Sequence, residues 1–327
     1  RSRREGFDLV RSNPRFVGFN LTGALDHALC GEGPMSLFRR IKDENFDVFR
    51  DGWSDLRWCL FLSKGNYFAG DAVEFEAVLA DFEALGDGTY EATFALVDTN
   101  GEVKWRSPVA PFTVPQKDKD GLRAVAYPVA RFRAEVDLPQ GAYMLRAYLN
   151  HGGYAAAFEK GFYVTARPVE EKPRGDFFEL GRVDEEQGKA AMARIEAGAT
   201  GLVHLEKWGS KPPAFLPLAN LVVTPRNHWL YHDDTIMVPD PLTQGLKTGF
   251  LDWDFYTDCF PFYGFTTDTE PVSFASVNFN VGGPPVYNRS FNLATFKHGK
   301  GLLIVSTLPI EKTSPAGAIL LANARKR

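Results

Sequence analysis

Asp26, His27 and Glu32 fall close together in a polar stretch that begins Asn20-Leu21-Thr22-Gly23. A carboxylate beside an imidazole can move protons or hold sugar hydroxyls. A glycosidase needs two carboxylates about 5–9.5 Å apart across the scissile bond, and such groups come as a rule from separate strand ends. Asp26 and Glu32 share one loop, and no rigid element fixes their separation. Further on, Trp53, Arg57 and Trp58 offer two ring faces and a planar donor fork. A ring face suits the C–H face of a pyranose, and the fork suits hydroxyls or a carboxylate. The plainer alternative is that both tryptophans are core at a seam between domains.

Other clusters are weaker. His228 and His232 are four apart with Asp233 and Asp234 following, but no third ligand is fixed by spacing, and an aromatic strand or loop explains the segment as well. Asp252, Asp254, Asp258 and Asp268 lack the glycine and closing Glu of a calcium loop. Gly299-Lys300-Gly301 leads into a strand rather than a helix, contrary to a phosphate cradle, and reads as a hairpin turn. Cys30, Cys59 and Cys259 are widely and irregularly spaced, which removes structural zinc and dithiol chemistry. No cofactor and no metal are implied.

The elements that must position these groups follow from pattern. Of 327 residues, 44% are hydrophobic and 24% charged, the balance of a soluble globular chain with a sizeable core. A formal net charge of -4 does not supply the positive field that nucleic acid or anionic lipid requires. No apolar run is long enough for a membrane span. Phe16-Val17-Gly18-Phe19 reads as a short buried strand opening into the polar loop, and Pro34 to Arg40 as a helix. Trp53 to Leu62 reads as a strand or extended lead. From Tyr67 to Ala166, alternating segments predict strands at Ala72–Ala80, Thr89–Val97, Glu102–Trp105, Ala124–Val129, Arg131–Val136, Ala142–Leu149 and Ala155–Val164. That spacing predicts an immunoglobulin-like β-sandwich over 53–167. A Pro- and Glu-rich linker over 168–174 precedes a small layered α/β domain over 175–327. There Asp184 caps a helix that Gly198 stops, Thr200–Leu205 and Leu302–Leu308 are buried strands, and Ser314-Pro315 opens a terminal helix. Residues 212–286 read as loops with short strands.

The words Asn13-Pro14-Arg15-Phe16-Val17-Gly18-Phe19-Asn20-Leu21-Thr22-Gly23, then Asp26-His27 and Gly31-Glu32-Gly33, resemble the closing strand and loop of a catalytic (β/α)8 barrel. The family is the glycoside hydrolase family 2-like, β-galactosidase-related group of multidomain enzymes. Asp51-Gly52-Trp53 and Leu56-Arg57-Trp58-Cys59-Leu60-Phe61 resemble its exit from barrel to sandwich, and Gly299-Lys300-Gly301 with the strand after it is similar to the last strand of its accessory α/β domains. The resemblance implies a multidomain chain, α/β plus all-β, whose residues 1–52 close a barrel. It implies retaining hydrolysis of a β-linked glycoside by a Glu pair that no residue of this chain supplies, so that an upstream barrel segment, as a processed fragment or a separate chain, is the expected partner. Asn20, Thr22, Asp26, His27 and Glu32 would line the sugar site, with Trp53, Arg57 and Trp58 behind. A homo-oligomer and a secreted or periplasmic location are compatible with the sequence. The alternatives are a carbohydrate-binding or structural accessory protein without catalysis, and a free-standing enzyme that uses Asp26 and Glu32.

Overall fold

In a computed structural model of the chain, the residues described are 2–16, 18–20, 23–26, 33–42, 45–226, 233–281 and 287–327. They are mostly β-strand, with four α-helices among them, and they divide into two compact units, Arg1–Ala166 and Arg167–Arg327.

The first unit opens with helices α1 (Ser2–Arg11) and α2 (Asn45–Trp53). Strands β1 (Leu56–Leu62), β2 (Asn66–Phe68), β3 (Val73–Asp81), β4 (Gly88–Asp98), β5 (Val103–Arg106), β6 (Ala110–Val114), β7 (Ala126–Ala134), β8 (Gly141–Leu149) and β9 (Glu159–Thr165) follow. Among the described residues they form an antiparallel sheet β1-β3-β7 and a second sheet β2-β9-β8-β4-β5 with β6 also on β4, in which β2 and β9 run parallel. The sheets share one core, built from Trp58, Leu60, Phe75 and Leu79 on one side and Phe94, Leu96, Tyr143 and Leu145 on the other. Alternation explains it: Tyr143, Leu145 and Ala147 are buried, whereas Met144 between them is exposed. In β1 the alternation fails because both faces are covered. Leu56, Trp58 and Leu60 enter the core, and Arg57 and Cys59 lie buried on the opposite face.

Several expectations are corrected here. Phe16, Gly18 and Phe19 are not in a strand, and among the described residues no strand pairs with them. Phe16 instead stacks on Phe82 with ring centroids 6.2 Å apart. Pro34 to Arg40 forms turns, with isolated bridges from Met35 to Leu25 and Ile41, not a helix. Residues Ser2–Arg11 form the helix α1, and Trp53 ends a helix rather than starting a strand. The two segments from Ala124 to Val136 are one strand, β7, with a bulge opposite Ala77 and Val78.

The second unit contains β10 (Phe177–Leu180), α3 (Glu185–Ala197), β11 (Thr200–His204), β12 (Val222–Pro225), β13 (Asp233–Met237), β14 (Gly249–Phe250), β15 (Tyr263–Thr266), β16 (Ser273–Val281), β17 (Tyr287–His298), β18 (Gly301–Ser306) and α4 (Pro315–Arg325). Among the described residues its sheet runs β10-β11-β18-β17-β16-β13-β14, with β15 joining β17 to β12. Strands β10, β11 and β18 are parallel, and the rest are antiparallel. Met192 and Ile195 of α3 pack against Val203, Leu303 and Phe296 on one face, and Leu320 and Leu321 of α4 against Leu202, Ile304 and Leu293 on the other. The caps are as the sequence predicts: the Asp184 carboxylate accepts the Gln187 N–H at 2.8 Å, and Ser314 accepts that of Gly317 at 3.3 Å. The stretch from residue 212 to 286, expected to be loop-rich, supplies five strands of the sheet among its described residues. Gly299-Lys300-Gly301 is the β17–β18 hairpin turn. A Cβ at Gly301 would stand 2.1 Å from the carbonyl oxygens of Ile195 and Ala199, so the glycine is needed for β18 to pass the end of α3.

Candidate functional site

Three of the residues expected to hold sugar, Thr22, His27 and Glu32, lie outside the described residues, as do His228 and His232. Asn20 is exposed. Asp26 is engaged locally: its Oδ1 accepts the Gly33 N–H at 3.0 Å and Lys42 Nζ at 2.8 Å, closing the loop around the Leu25–Met35 bridge. Trp53 is 46% exposed at the end of α2, and its ring meets Phe7, Phe19 and Phe49 with centroids 5.2–5.3 Å apart. That ring cluster fixes the Phe19 end of the loop beside α1 and α2.

Trp53, Arg57 and Trp58 do not form one surface. Trp58 and Arg57 are each 1% exposed and point to opposite faces of β1, as neighbours in a strand must. Trp58 lies edge-on to Phe94 in the core and has no ring face for a ligand. Arg57 Nη2 donates to Asp8 Oδ1 at 2.5 Å, and at 1% exposure the fork is closed to a ligand. These two residues are structural, and their assignment to a sugar site is corrected accordingly.

What they build is an anchor for α1. Arg11, also buried, donates from Nη1 to the Gly52 carbonyl at 2.7 Å and from Nη2 to that of Ser54 at 2.9 Å, and its guanidinium lies over the Phe82 ring. Burial pushes the Asp8 carboxyl above its ordinary range, against the pull of Arg57 and Lys160. Burial, helped by Arg57, lowers Arg11 to about 10. The Cys59 thiol, 3.7 Å from Arg57, is pushed up to about 12 by burial, which leaves it unreactive. Beside the anchor a shallow cleft of about 670 Å³ is lined by Arg50, Asp51, Ser54, Asp55 and Tyr154 among others. Its mixture of charge and one exposed ring can hold hydroxyls, but Arg50 is already paired to Asp47 and Asp51.

The second unit holds a cluster that sequence reasoning missed. His204 ends β11, with its Nε2 3.3 Å from Glu179 Oε2 and its Nδ1 3.7 Å from Glu206 Oε1. Burial raises the Glu206 carboxyl, while the His204 hydrogen bond holds Glu179 below its ordinary value. Two carboxyls of opposite tendency flanking one imidazole are an acid–base set in kind. A His closing the apolar run Gly201-Leu202-Val203 was the available signal. Cys259 is fully buried and pushed up to about 12 by that burial. Asp252 and Asp268 are engaged in local bonds, to the Asp254 and Phe255 N–H groups and to Asn220. Among the described residues, no group of three or more His, Cys, Asp or Glu is placed to hold a metal ion, and no helix is long and apolar enough to cross a membrane.

No protein-family model matches the chain, and no curated protein does. Among solved structures it is similar to a glycosyl hydrolase family 2 member from Bacteroides cellulosilyticus, at 14% identity and a TM-score of 0.24 over 49% of this chain and 24% of that one. A β-glucosidase from Listeria innocua matches at 11% identity and a TM-score of 0.23, over 34% of this chain and 16% of its own. A CARDB domain from Pyrococcus furiosus matches at 13% identity and 0.24, over 34% of this chain and 87% of that domain. The chain thus spans a quarter or less of either glycosidase. At such scores the likeness assigns neither fold nor activity.

Proposed function

We propose that this chain is the C-terminal part of a glycoside hydrolase that cleaves a β-linked glycoside with retention, its Glu pair supplied by an upstream (β/α)8 segment or partner chain. Residues 1–52, helices and loops without a named strand among the described residues, pack on that barrel, the two-sheet unit is an immunoglobulin-like sandwich, and the second unit is an accessory α/β domain. The supporting observation is the apolar surface left uncovered along the first segment. Leu9, Leu37, Phe38, Ile41 and Phe46 are each more than half exposed within a stretch of 38 residues. A preceding barrel packed on this segment would cover these side chains. The buried Asp8–Arg57 pair and the Arg11 bonds hold this segment firmly to the sandwich, as a junction between a catalytic domain and its support requires. In this reading Asn20, Thr22, Asp26, His27 and Glu32 face the sugar from the loop, and Trp53 fixes the loop's base.

The test is intact-mass and co-purification analysis of the protein from its native source, followed by hydrolysis of a panel of p-nitrophenyl β-glycosides. The assembly with a barrel segment is expected to turn over, and the highly purified chain alone is not. Hydrolysis by the chain alone, lost in Glu32→Gln, would overturn the proposal in favour of a free-standing enzyme. A non-catalytic carbohydrate-binding accessory is the second reading, favoured by the engagement of Asp26 with Lys42; native material that binds sugar, lacks a barrel segment and shows no turnover would establish it.

A further inference from the structure

A cleft of about 300 Å³ opens on the second unit between Arg226, just past β12, Thr235 of β13, Phe250 of β14 and the turn that carries Trp253 and Phe260. Its apolar wall is a stacked pair: the Trp253 and Phe260 rings lie 3.9 Å apart and 21° from parallel. Phe260 covers one face of the indole, yet Trp253 remains 52% exposed, and Phe250 nearby is 74% exposed. The turn is held firmly for so exposed a ring. Asp252 Oδ1 accepts the N–H groups of Asp254 and Phe255, and Thr257 Oγ1 donates to the Trp253 carbonyl at 3.1 Å.

Polar groups complete the lining. Arg226 lies over the Phe260 ring, donates to Thr235 Oγ1 and stands beside Asp234, so the cleft offers donors and an acceptor without a strong net charge. Asn278 pairs with Thr235 across β16 and β13 and therefore shares its face of the sheet. It is 1% exposed, and neither its Oδ1 nor its Nδ2 has a hydrogen-bond partner. A buried amide with both ends free, directly behind a cleft wall, costs stability unless something completes it.

We propose that this cleft binds one pyranose unit of a β-linked oligosaccharide, the sugar's C–H face against Trp253 and Phe250 and its hydroxyls toward Arg226, Asp234 and Thr235. A firmly presented ring plate beside neutral-balanced donors and acceptors matches a ligand with one apolar face and a hydroxyl rim, whereas a phosphate would require uncompensated positive charge. The site binds and does not cleave; the β-linkage alone rests on the function proposed above.

The test is calorimetric titration of the full chain with cellohexaose, laminarihexaose, xylohexaose and β-1,4-galactotetraose, together with indole fluorescence. At least one saccharide is expected to bind and to perturb the fluorescence. Trp253→Ala should weaken that binding by about tenfold or more, and Phe250→Ala by about threefold, with the melting temperature of Phe250→Ala unchanged because its ring is exposed. If Trp253→Ala disturbs folding, Phe250→Ala and Arg226→Met carry the test. Absence of binding to all four, or binding that survives in the folded variants, overturns the proposal. Binding here without a catalytic partner in the native protein would count against the hydrolase reading and leave the cleft standing; hydrolysis by the native assembly with no binding here would do the reverse.

Discussion

The two units bury polar side chains in opposite ways. In the first, Asp8, Arg57 and Arg11 are charged, and the arginine Nη groups are matched to a carboxylate or to carbonyls even though each Nε is left without a partner; they tie a helix to a strand. In the second, the face of the sheet under α4 contains uncharged groups, Ser276, Asn278 and Thr295, that have no partner. Charge inside a protein persists where it is paired, because the alternative is a large desolvation cost. Neutral orphans cost less each and can be tolerated where a ligand or water completes them. Matched burial therefore marks architecture, and unmatched burial marks a place to look for a ligand.

The largest expected effect breaks the matched side. Arg57→Met leaves the Asp8 charge buried without its main partner and should cost about 3–5 kcal/mol in urea unfolding, whereas Asp8→Leu with Arg57→Met should recover most of that loss. If the double variant is no better than the single one, the pair is not the anchor. A smaller effect is expected in pH. Asp8 has its carboxyl raised on folding, so the native state holds its proton more tightly than the unfolded chain. Its contribution is fullest below the ordinary Asp value and declines as pH rises through the raised one, and Asp8→Asn should remove that slope from the pH dependence of thermal unfolding. Glu179 in the second unit has the opposite sign. Its lowered carboxyl stabilises above the ordinary Glu value and loses that contribution as pH falls through the lowered one, so Glu179→Gln should soften acid unfolding by about 1 kcal/mol or less after allowance for its partial exposure. The smallest effect sharpens the unmatched side: Asn278→Leu should be neutral or stabilising by up to about 1 kcal/mol in chemical unfolding, since it removes two unsatisfied atoms. A loss of several kcal/mol would mean that Asn278 is satisfied after all.

Local pattern was legible where local physics decides. The Asp184 and Ser314-Pro315 caps and the alternating strands β4 and β8 follow from propensity and period alone. The helix α1 was not legible, because it is short and polar and of its apolar residues only Phe7 is buried; Phe7, Asp8 and Arg11 acquire their role from β1 and Phe82, dozens of residues away. The β16–β17 hairpin was hidden by its polar positions, including Asn278, Asn292 and Thr295, which look like loop until the opposite strand is present. At the expected sugar site, adjacency misled: residues 57 and 58 are neighbours in sequence and opposite in direction, a consequence of strand period that the run Arg57-Trp58 already contained. Glu179 reaches His204 through parallel pairing of β10 with β11, which no spacing in the sequence announces, whereas Glu206 lies two residues on from His204.

The way α1 is fastened also sets how the first unit opens. Freeing the helix means breaking the Asp8–Arg57 pair, both Arg11 bonds to carbonyls and the Arg11 contact with Phe82 in one step. The amides of α1 should therefore exchange with solvent at the pace of the strands beneath it rather than at that of a terminal segment, and the helix belongs to the same cooperative unit as β1.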